Sequence, residues 1–300
     1  SVPGNLGNQL EARIDKIDLV HWLCYSKTED FFTIWIDFNM FMPIGIDCWI
    51  DNIRIAYNRT THKTSNAPGV EIRVPGFGKT YTVEFLDTNT LTGYLHTMVE
   101  HLVNAGYVRN ETIRAAPYDW RIAPSENDGI PLVSNIKIRE EQRMTTTNPW
   151  MIPSDLAWPT DHVYISTPTY NYTYQDYQRF FNDIHFEDGW YMWNDTKDLL
   201  AGLPTPGVAV YCMYGTGLPT PVTYIYDDNF PNADPVDILY DDGDDTVGSR
   251  SMELCKLWVG KQKEPVHVIE LNGTAHLDIV FSNISLTYIQ EILQGNYERP

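Results

Sequence analysis

The chain has 300 residues, 43% of them apolar and 13% aromatic, which is enough for a substantial buried core. Its 40 acidic residues outnumber 21 Lys and Arg, and the net charge of −19 repels phosphate backbones, so nucleic acid is not an expected partner. No run of about 18 apolar residues predicts a bilayer-spanning helix, and no charged, then apolar, leader precedes Ser1, so a soluble chain without its signal peptide is expected.

Cys24 and Cys48 bracket an unusually apolar stretch: Phe31, Phe32, Ile34, Trp35, Ile36, Phe38, Met40, Phe41, Met42, Ile44 and Ile46. Two readings compete, a helix packed into the core or an aromatic patch that settles into a lipid interface. Closure of this stretch by a disulfide favours the second, because a core helix needs no staple of its own. Val70 to Val74 reads as a strand ending at Pro75-Gly76. The segment Val74-Pro75-Gly76-Phe77-Gly78-Lys79-Thr80 ends like a phosphate-binding loop, but Arg73 stands where that motif needs Gly. A glycine loop between strand and helix suits an oxyanion hole instead, with the amide of Phe77 as donor. A tight turn that needs Gly for its geometry accounts for the same residues.

Leu95, Met98, Val99, Leu102 and Val103 share one helical face, and Gly106 follows the last of them. This spacing predicts a helix over 92–105, with Thr88, Asn89 and Thr92 offering capping side chains. Between Trp158 and Leu203 the pattern is aromatic and irregular, as in a cap laid over a sheet rather than part of it. Val208 to Tyr214 and Val266 to Leu271 read as strands, and Leu286 to Leu293 as a closing helix. Near-continuous apolar strands separated by amphipathic helices predict an α/β fold with a buried, mostly parallel sheet. There is no internal repeat and no low-complexity linker.

An acidic turn, Asp241-Asp242-Gly243-Asp244-Asp245-Thr246-Val247, precedes His276, which lies among apolar residues after the last predicted strand. Acid and base follow one another in this order in α/β-hydrolases, downstream of a nucleophilic Ser on a G-x-S-x-G elbow. No such elbow occurs; Gly248-Ser249-Arg250-Ser251 comes nearest, but it follows the acid and lacks the second Gly. Asp244 would fix the tautomer of His276 and stabilise its imidazolium. A solvated turn and a core histidine describe the same two residues. A calcium loop does not, since Gly243 stands third in the run and the EF-hand needs it sixth.

Six N-x-[ST] sequons, at Asn58, Asn110, Asn171, Asn194, Asn272 and Asn283, point to an oxidising, secretory setting, as does the even number of cysteines. Four cysteines allow three pairings; joining sequence neighbours, Cys24 to Cys48 and Cys212 to Cys255, closes two loops of moderate size.

Several long segments carry a family resemblance. Cys48-Trp49-Ile50-Asp51-Asn52, Val74 to Thr80, Ala116-Pro117-Tyr118-Asp119-Trp120-Arg121, the acidic turn and His276-Leu277 resemble the lecithin–cholesterol acyltransferase family, which also contains lysosomal phospholipase A2. The bracketed apolar loop and Phe186-Glu187-Asp188-Gly189-Trp190-Tyr191-Met192-Trp193 lean toward the acyltransferase branch. The resemblance covers about Pro3 to Asn296 and implies an α/β-hydrolase-like fold in one domain, 1–300. It places a membrane-binding element at 20–50 and a lid or cap insertion at about 129–205.

It further implies a secreted, extracellular plasma glycoprotein, with a lysosomal location less favoured. Such an enzyme cleaves the sn-2 acyl chain of phosphatidylcholine through an acyl-serine and passes it to cholesterol on high-density lipoprotein. The main apolipoprotein of the particle activates it, and no cofactor or metal is called for. By this resemblance Asp244 is the acid, His276 the base and Phe77 one oxyanion donor. Cys24–Cys48 and Cys212–Cys255 are the disulfides, and Phe31, Phe32, Trp35, Phe38 and Phe41 contact lipid.

The departures matter equally. After Arg121 the family continues into a helix, a central strand, the elbow serine and the start of a mobile lid. This chain passes through Ile122-Ala123-Pro124-Ser125-Glu126-Asn127-Asp128 straight to Gly129-Ile130-Pro131. The nucleophile, the second oxyanion donor and a middle strand are expected to be missing; neither Ser125 nor Ser134 has the glycines an elbow requires. The chain is therefore expected to be inactive as it stands, with a non-catalytic lipid-surface binder as the alternative.

Overall fold

The computed structural model describes residues 1–41, 45–122 and 145–297, with side chains described to residue 40 in the first stretch. Ser125, Ser134, Gly129, Met42, Ile44, the Phe41 side chain and the first part of the expected 129–205 insertion lie outside these residues. The chain divides into two compact units, Ser1–Met151 with Tyr191–Asp195, and Ile152–Trp190 with Thr196–Pro300.

In the first unit, strands β1 (Leu10–Ile14), β2 (Phe32–Trp35) and β5 (Val70–Arg73) form a sheet in the order β2-β1-β5, and β3 (Ile55–Asn58) pairs with β4 (Lys63–Asn66). Leu10, Ala12 and Ile14, at alternate positions of β1, are fully buried, as the two-residue period of a strand with one covered face requires. Helix α1 (Gly45–Ile53) places Ile46, Trp49, Ile50 and Ile53 on one face at i, i+3, i+4 and i+7. That face completes a core with Ile34, Trp35, Ile36, Val70 and Trp120.

Helix α2 runs over His96–Asn104 rather than 92–105. Its buried residues Val99 and Leu102, with Leu95 just before it, lie on the predicted face, and Gly106 takes the expected left-handed conformation at φ 97°. The start is later because Tyr94 and Leu95 donate their amides back to Glu84 and Val83. The expected caps serve elsewhere: the Asp87 carboxylate accepts from the amides of Asn89, Leu91 and Thr92 and folds that segment into a closed loop.

The second unit contains β6 (Ile165–Ser166), β7 (Asn171–Tyr172), β8 (Val210–Thr216), β9 (Leu218–Ile225), β10 (Asp237–Gly243) and β11 (Val266–Asn272). A four-stranded sheet has the order β10-β9-β6-β7, and β11 pairs with β8. The expected parallel relation of the two apolar strands is present, in register from Val266 opposite Val210 to Asn272 opposite Thr216.

The mostly parallel sheet is not. Among the described residues only β11–β8 and β6–β9 are parallel, and the other strand pairings are antiparallel. Short links account for part of this arrangement: only residues 59–62 join β3 to β4 and residues 167–170 join β6 to β7, and antiparallel neighbours are what links of that length allow. The aromatic region after Trp158 is likewise not just a cover, since its β6 and β7 are members of the four-stranded sheet. Helix α3 (Asn283–Gln294) closes the chain between a Ser282 cap and a left-handed Gly295. No helix among the described residues is long and apolar enough to cross a membrane.

Candidate functional site

Strand β10 ends at Gly243, and the chain turns at once to present Asp244. Glycine is required there: a Cβ would stand 2.4 Å from both the Thr220 hydroxyl and the Val247 carbonyl. Gly215 on β8 is equally constrained, with a Cβ position 2.0 Å from the Thr274 carbonyl and 3.0 Å from the Asp244 Cβ. These close approaches bring the acid turn, the end of β8 and the loop after β11 against one another.

His276 follows that loop and precedes a short 3-10 turn, Leu277–Val280. Its Nδ1 lies 2.8 Å from Asp244 Oδ2, and its backbone amide donates to the Asp244 carbonyl at 2.8 Å. The other carboxylate oxygen, Oδ1, accepts from the amides of Val247 at 2.7 Å and Thr246 at 3.2 Å. Asp244 is 4% exposed. Burial alone would raise its carboxyl, but the hydrogen bonds from His276, Val247 and Thr246 outweigh burial and hold it below the ordinary aspartate value. An ionised, oriented carboxylate behind a partly exposed imidazole can stabilise an imidazolium and fix which nitrogen faces outward.

Two features of this turn escape sequence reading. Asp245 holds a left-handed backbone at φ 76°, and its amide donates to the Thr220 hydroxyl at 3.0 Å. Thr220 is fully buried and donates in turn to the Leu218 carbonyl at 3.1 Å. Nothing in Leu218-Pro219-Thr220-Pro221 marks this role, because the contact depends on the register of β9 against β10.

Phe77, in the first unit, lies on the loop between β5 and a single helical turn at Tyr81–Glu84, as expected. Gly76 and Gly78 both have positive φ, at 75° and 80°, and Gly78 donates to the Ala115 carbonyl. The Phe77 ring is 78% exposed, and its amide has no hydrogen-bond partner among the described residues. Such an amide is available to an incoming oxyanion.

The bracketed apolar loop differs from expectation. Trp35 is 5% exposed, its Nε1 donates to the Leu6 carbonyl at 2.8 Å, and its ring packs 5.1 Å from that of Trp120. Its ring is thus not on a surface, and Ile34, Ile36 and Ile46 are buried with it. Phe32 packs against the same core, Phe31 lies under the Arg73 guanidinium at 4.0 Å, and Phe38 is 37% exposed. The exposed apolar surface comes earlier: Ile17, Val20, Trp22, Leu23 and Tyr25 all stand in solvent. Both disulfides are formed, Cys24–Cys48 and Cys212–Cys255. The first ties this exposed segment to α1.

All six sequon asparagines are exposed. Glu84, His96 and Glu100 bring three potential metal-ligand atoms within 4.8 Å, but Arg109 bonds to both glutamates and supplies the positive charge there.

Comparison with known proteins adds an independent line. A sequence profile described as Lecithin:cholesterol acyltransferase matches residues 31–129 and 123–283. A protein of Papio anubis called Phosphatidylcholine-sterol acyltransferase is 53% identical over 373 residues, covering 99% of this chain and 85% of the relative. Proteins of the same name from Homo sapiens and Gallus gallus are 53% and 54% identical, covering 99% and 96% of this chain and 85% and 88% of each relative. The stretch aligned with the Papio anubis and Homo sapiens proteins spans 373 residues against 300 here, so at least 73 aligned positions have no residue of this chain opposite them. The two profile segments meet at 123–129.

Proposed function

The chain belongs to the lecithin:cholesterol acyltransferase family, and from that premise we propose that it carries the acid and base of a secreted phosphatidylcholine–sterol acyltransferase without the nucleophile. The carrying observation is the 2.8 Å pair of His276 Nδ1 and Asp244 Oδ2 in a sequence that has no G-x-S-x-G.

In acyl transfer of this type the base takes the serine proton as Oγ attacks the sn-2 carbonyl of phosphatidylcholine. It returns that proton to the departing lysophospholipid, then deprotonates the sterol hydroxyl that attacks the acyl-serine. Asp244 and His276 are equipped for each proton movement, and the Phe77 amide for one hydrogen bond to the oxyanion. The atom that must hold the acyl group is missing, and with it the amide after the serine that would complete the oxyanion site. We read the missing positions as the central strand and elbow that the family resemblance places after Arg121, a reading supported by the overlap of the two profile segments at 123–129. Triad members act as a unit, so turnover is lost with the nucleophile.

A fluorophosphonate probe, which needs an activated serine, is expected to leave the purified chain unlabelled, and phosphatidylcholine–cholesterol vesicles are expected to yield no sterol ester. Stoichiometric labelling would overturn this reading.

A second function fits the same chain, a non-catalytic glycoprotein of lipid or lipoprotein surfaces that meets the activating apolipoprotein there. The exposed residues Ile17, Val20, Trp22, Leu23 and Tyr25, close together in the chain, favour it, since solvent-facing apolar side chains in one segment suit an interaction surface. Two disulfides and six exposed sequons suit a secreted setting.

A further inference from the structure

A groove of about 480 Å³ in the first unit lies at the base of the exposed apolar segment, and Lys16, Ile17, Asp18, Leu19, Val20 and Arg54 are among its lining residues. Its charges are unevenly engaged. Lys16 is nearly buried, and its ammonium donates to the Asp51 carboxylate, the Asp51 carbonyl at 3.1 Å and the Asn52 side chain at 3.2 Å. It has no capacity left for a ligand. Arg54 is different: its Nε lies 3.2 Å from Asp51 Oδ1 without hydrogen-bond alignment, and its two terminal nitrogens have no partner among the described residues. Asp18 is exposed and unpartnered among the described residues. Arg54 and Asp18 face the same groove yet form no ion pair with each other.

Arg54, ion-paired to Asp51 through Nε but with its terminal nitrogens free among the described residues, and the unpaired Asp18 carboxylate share a single recess, an arrangement complementary to a dipolar group. A simple anion would meet the aspartates, and a simple cation would meet Arg54. The rim adds the second half of the specificity. Ile17 is 98% exposed and Val20 57%, and Trp22 and Leu23 continue the apolar surface along the chain. A ligand that is dipolar at one end and apolar at the other satisfies both halves. We infer that this groove binds the headgroup of a zwitterionic phospholipid at a membrane or particle surface, with Arg54 meeting the phosphate and Asp18 the quaternary ammonium. The inference rests on the lipid-surface reading above and deepens it. The groove shares no lining residue with the Asp244–His276 pair, and the role inferred for it is docking on lipid rather than acyl chemistry. Arg suits the phosphate because its guanidinium can give two parallel N–H donors.

The test titrates the full chain with dihexanoylphosphatidylcholine below its micelle concentration, following tryptophan fluorescence, and measures partitioning onto dioleoylphosphatidylcholine vesicles. Arg54→Gln is expected to weaken short-chain lipid binding by roughly tenfold, which is about 1.4 kcal/mol. Asp18→Asn is expected to weaken it several-fold, and free phosphocholine to compete with the lipid. Asp18 is exposed, so its variant carries the test even if Arg54→Gln proves unstable. Unchanged affinity in Asp18→Asn together with absent phosphocholine competition overturns the headgroup site. If vesicle partitioning persists in that case, the lipid-surface reading stands without the headgroup site. If the wild-type chain ignores both short-chain lipid and vesicles, the lipid-surface reading falls as well.

Discussion

Thr220 and Asp244 show how much of the dyad depends on single groups. Thr220→Val keeps the shape of the side chain but leaves the Asp245 amide without its acceptor, a part-buried loss of about 1 kcal/mol. The left-handed Asp245 has no other restraint of that kind in view, so the acid turn should relax and the His276–Asp244 bond loosen. Expected is loss of the low-field Nδ1 proton resonance of His276 in Thr220→Val and its retention in Thr220→Ser. A merely structural residue would lower stability in both without that split. For Asp244 the sign follows from its lowered value. Its contribution is complete above the unfolded aspartate value, 3.8, and vanishes as pH falls through the folded one. Asp244→Asn should therefore cost about 2 kcal/mol near neutral pH. Urea unfolding of the two proteins should converge once pH falls below the folded value; a constant difference would exclude the charge as its origin.

At the scale of elements, periodic segments were legible and the apolar loop was not. Helix α2, helix α3 and strands β8 and β11 follow from spacing because each buries one face or stripe, and the chain records that stripe directly. Residues 31–46 are rich in apolar side chains at successive positions, so period alone could not separate a core helix from a lipid patch. The disulfide argument failed for a physical reason. Cys48 sits on buried α1, and the bond staples the exposed segment before Cys24 to that helix rather than closing a surface loop. Two tryptophans separate these roles. Trp35→Ser removes a ring packed against Trp120 and should cost about 3–5 kcal/mol of stability. Trp22→Ser, at an 80% exposed position, should leave the thermal midpoint unchanged and weaken vesicle partitioning. Equal thermal loss in both would contradict the placement of these side chains.

At the scale of the whole molecule, the contact of Asp244 with His276 was legible because the acidic turn and the histidine follow one another in the chain order that α/β-hydrolases use. The sheet was not, because strand direction depends on links and neighbours that no local pattern encodes. Among the described residues the strands do not form a mostly parallel sheet, and 73 or more of the relatives' aligned positions have no counterpart here. A charge of −19 then acts on everything that remains. Like charges repel within the folded chain and against anionic lipid, and both effects are screened as the Debye length falls from about 30 Å at 0.01 M salt to about 8 Å at 0.15 M. Raising salt over that range should raise the thermal midpoint. It should also increase partitioning onto phosphatidylglycerol vesicles while leaving phosphatidylcholine vesicles nearly unaffected, since only the former oppose the chain's net charge. Partitioning onto anionic vesicles that falls with salt would instead mean that a local basic surface, not the net charge, governs approach to the membrane.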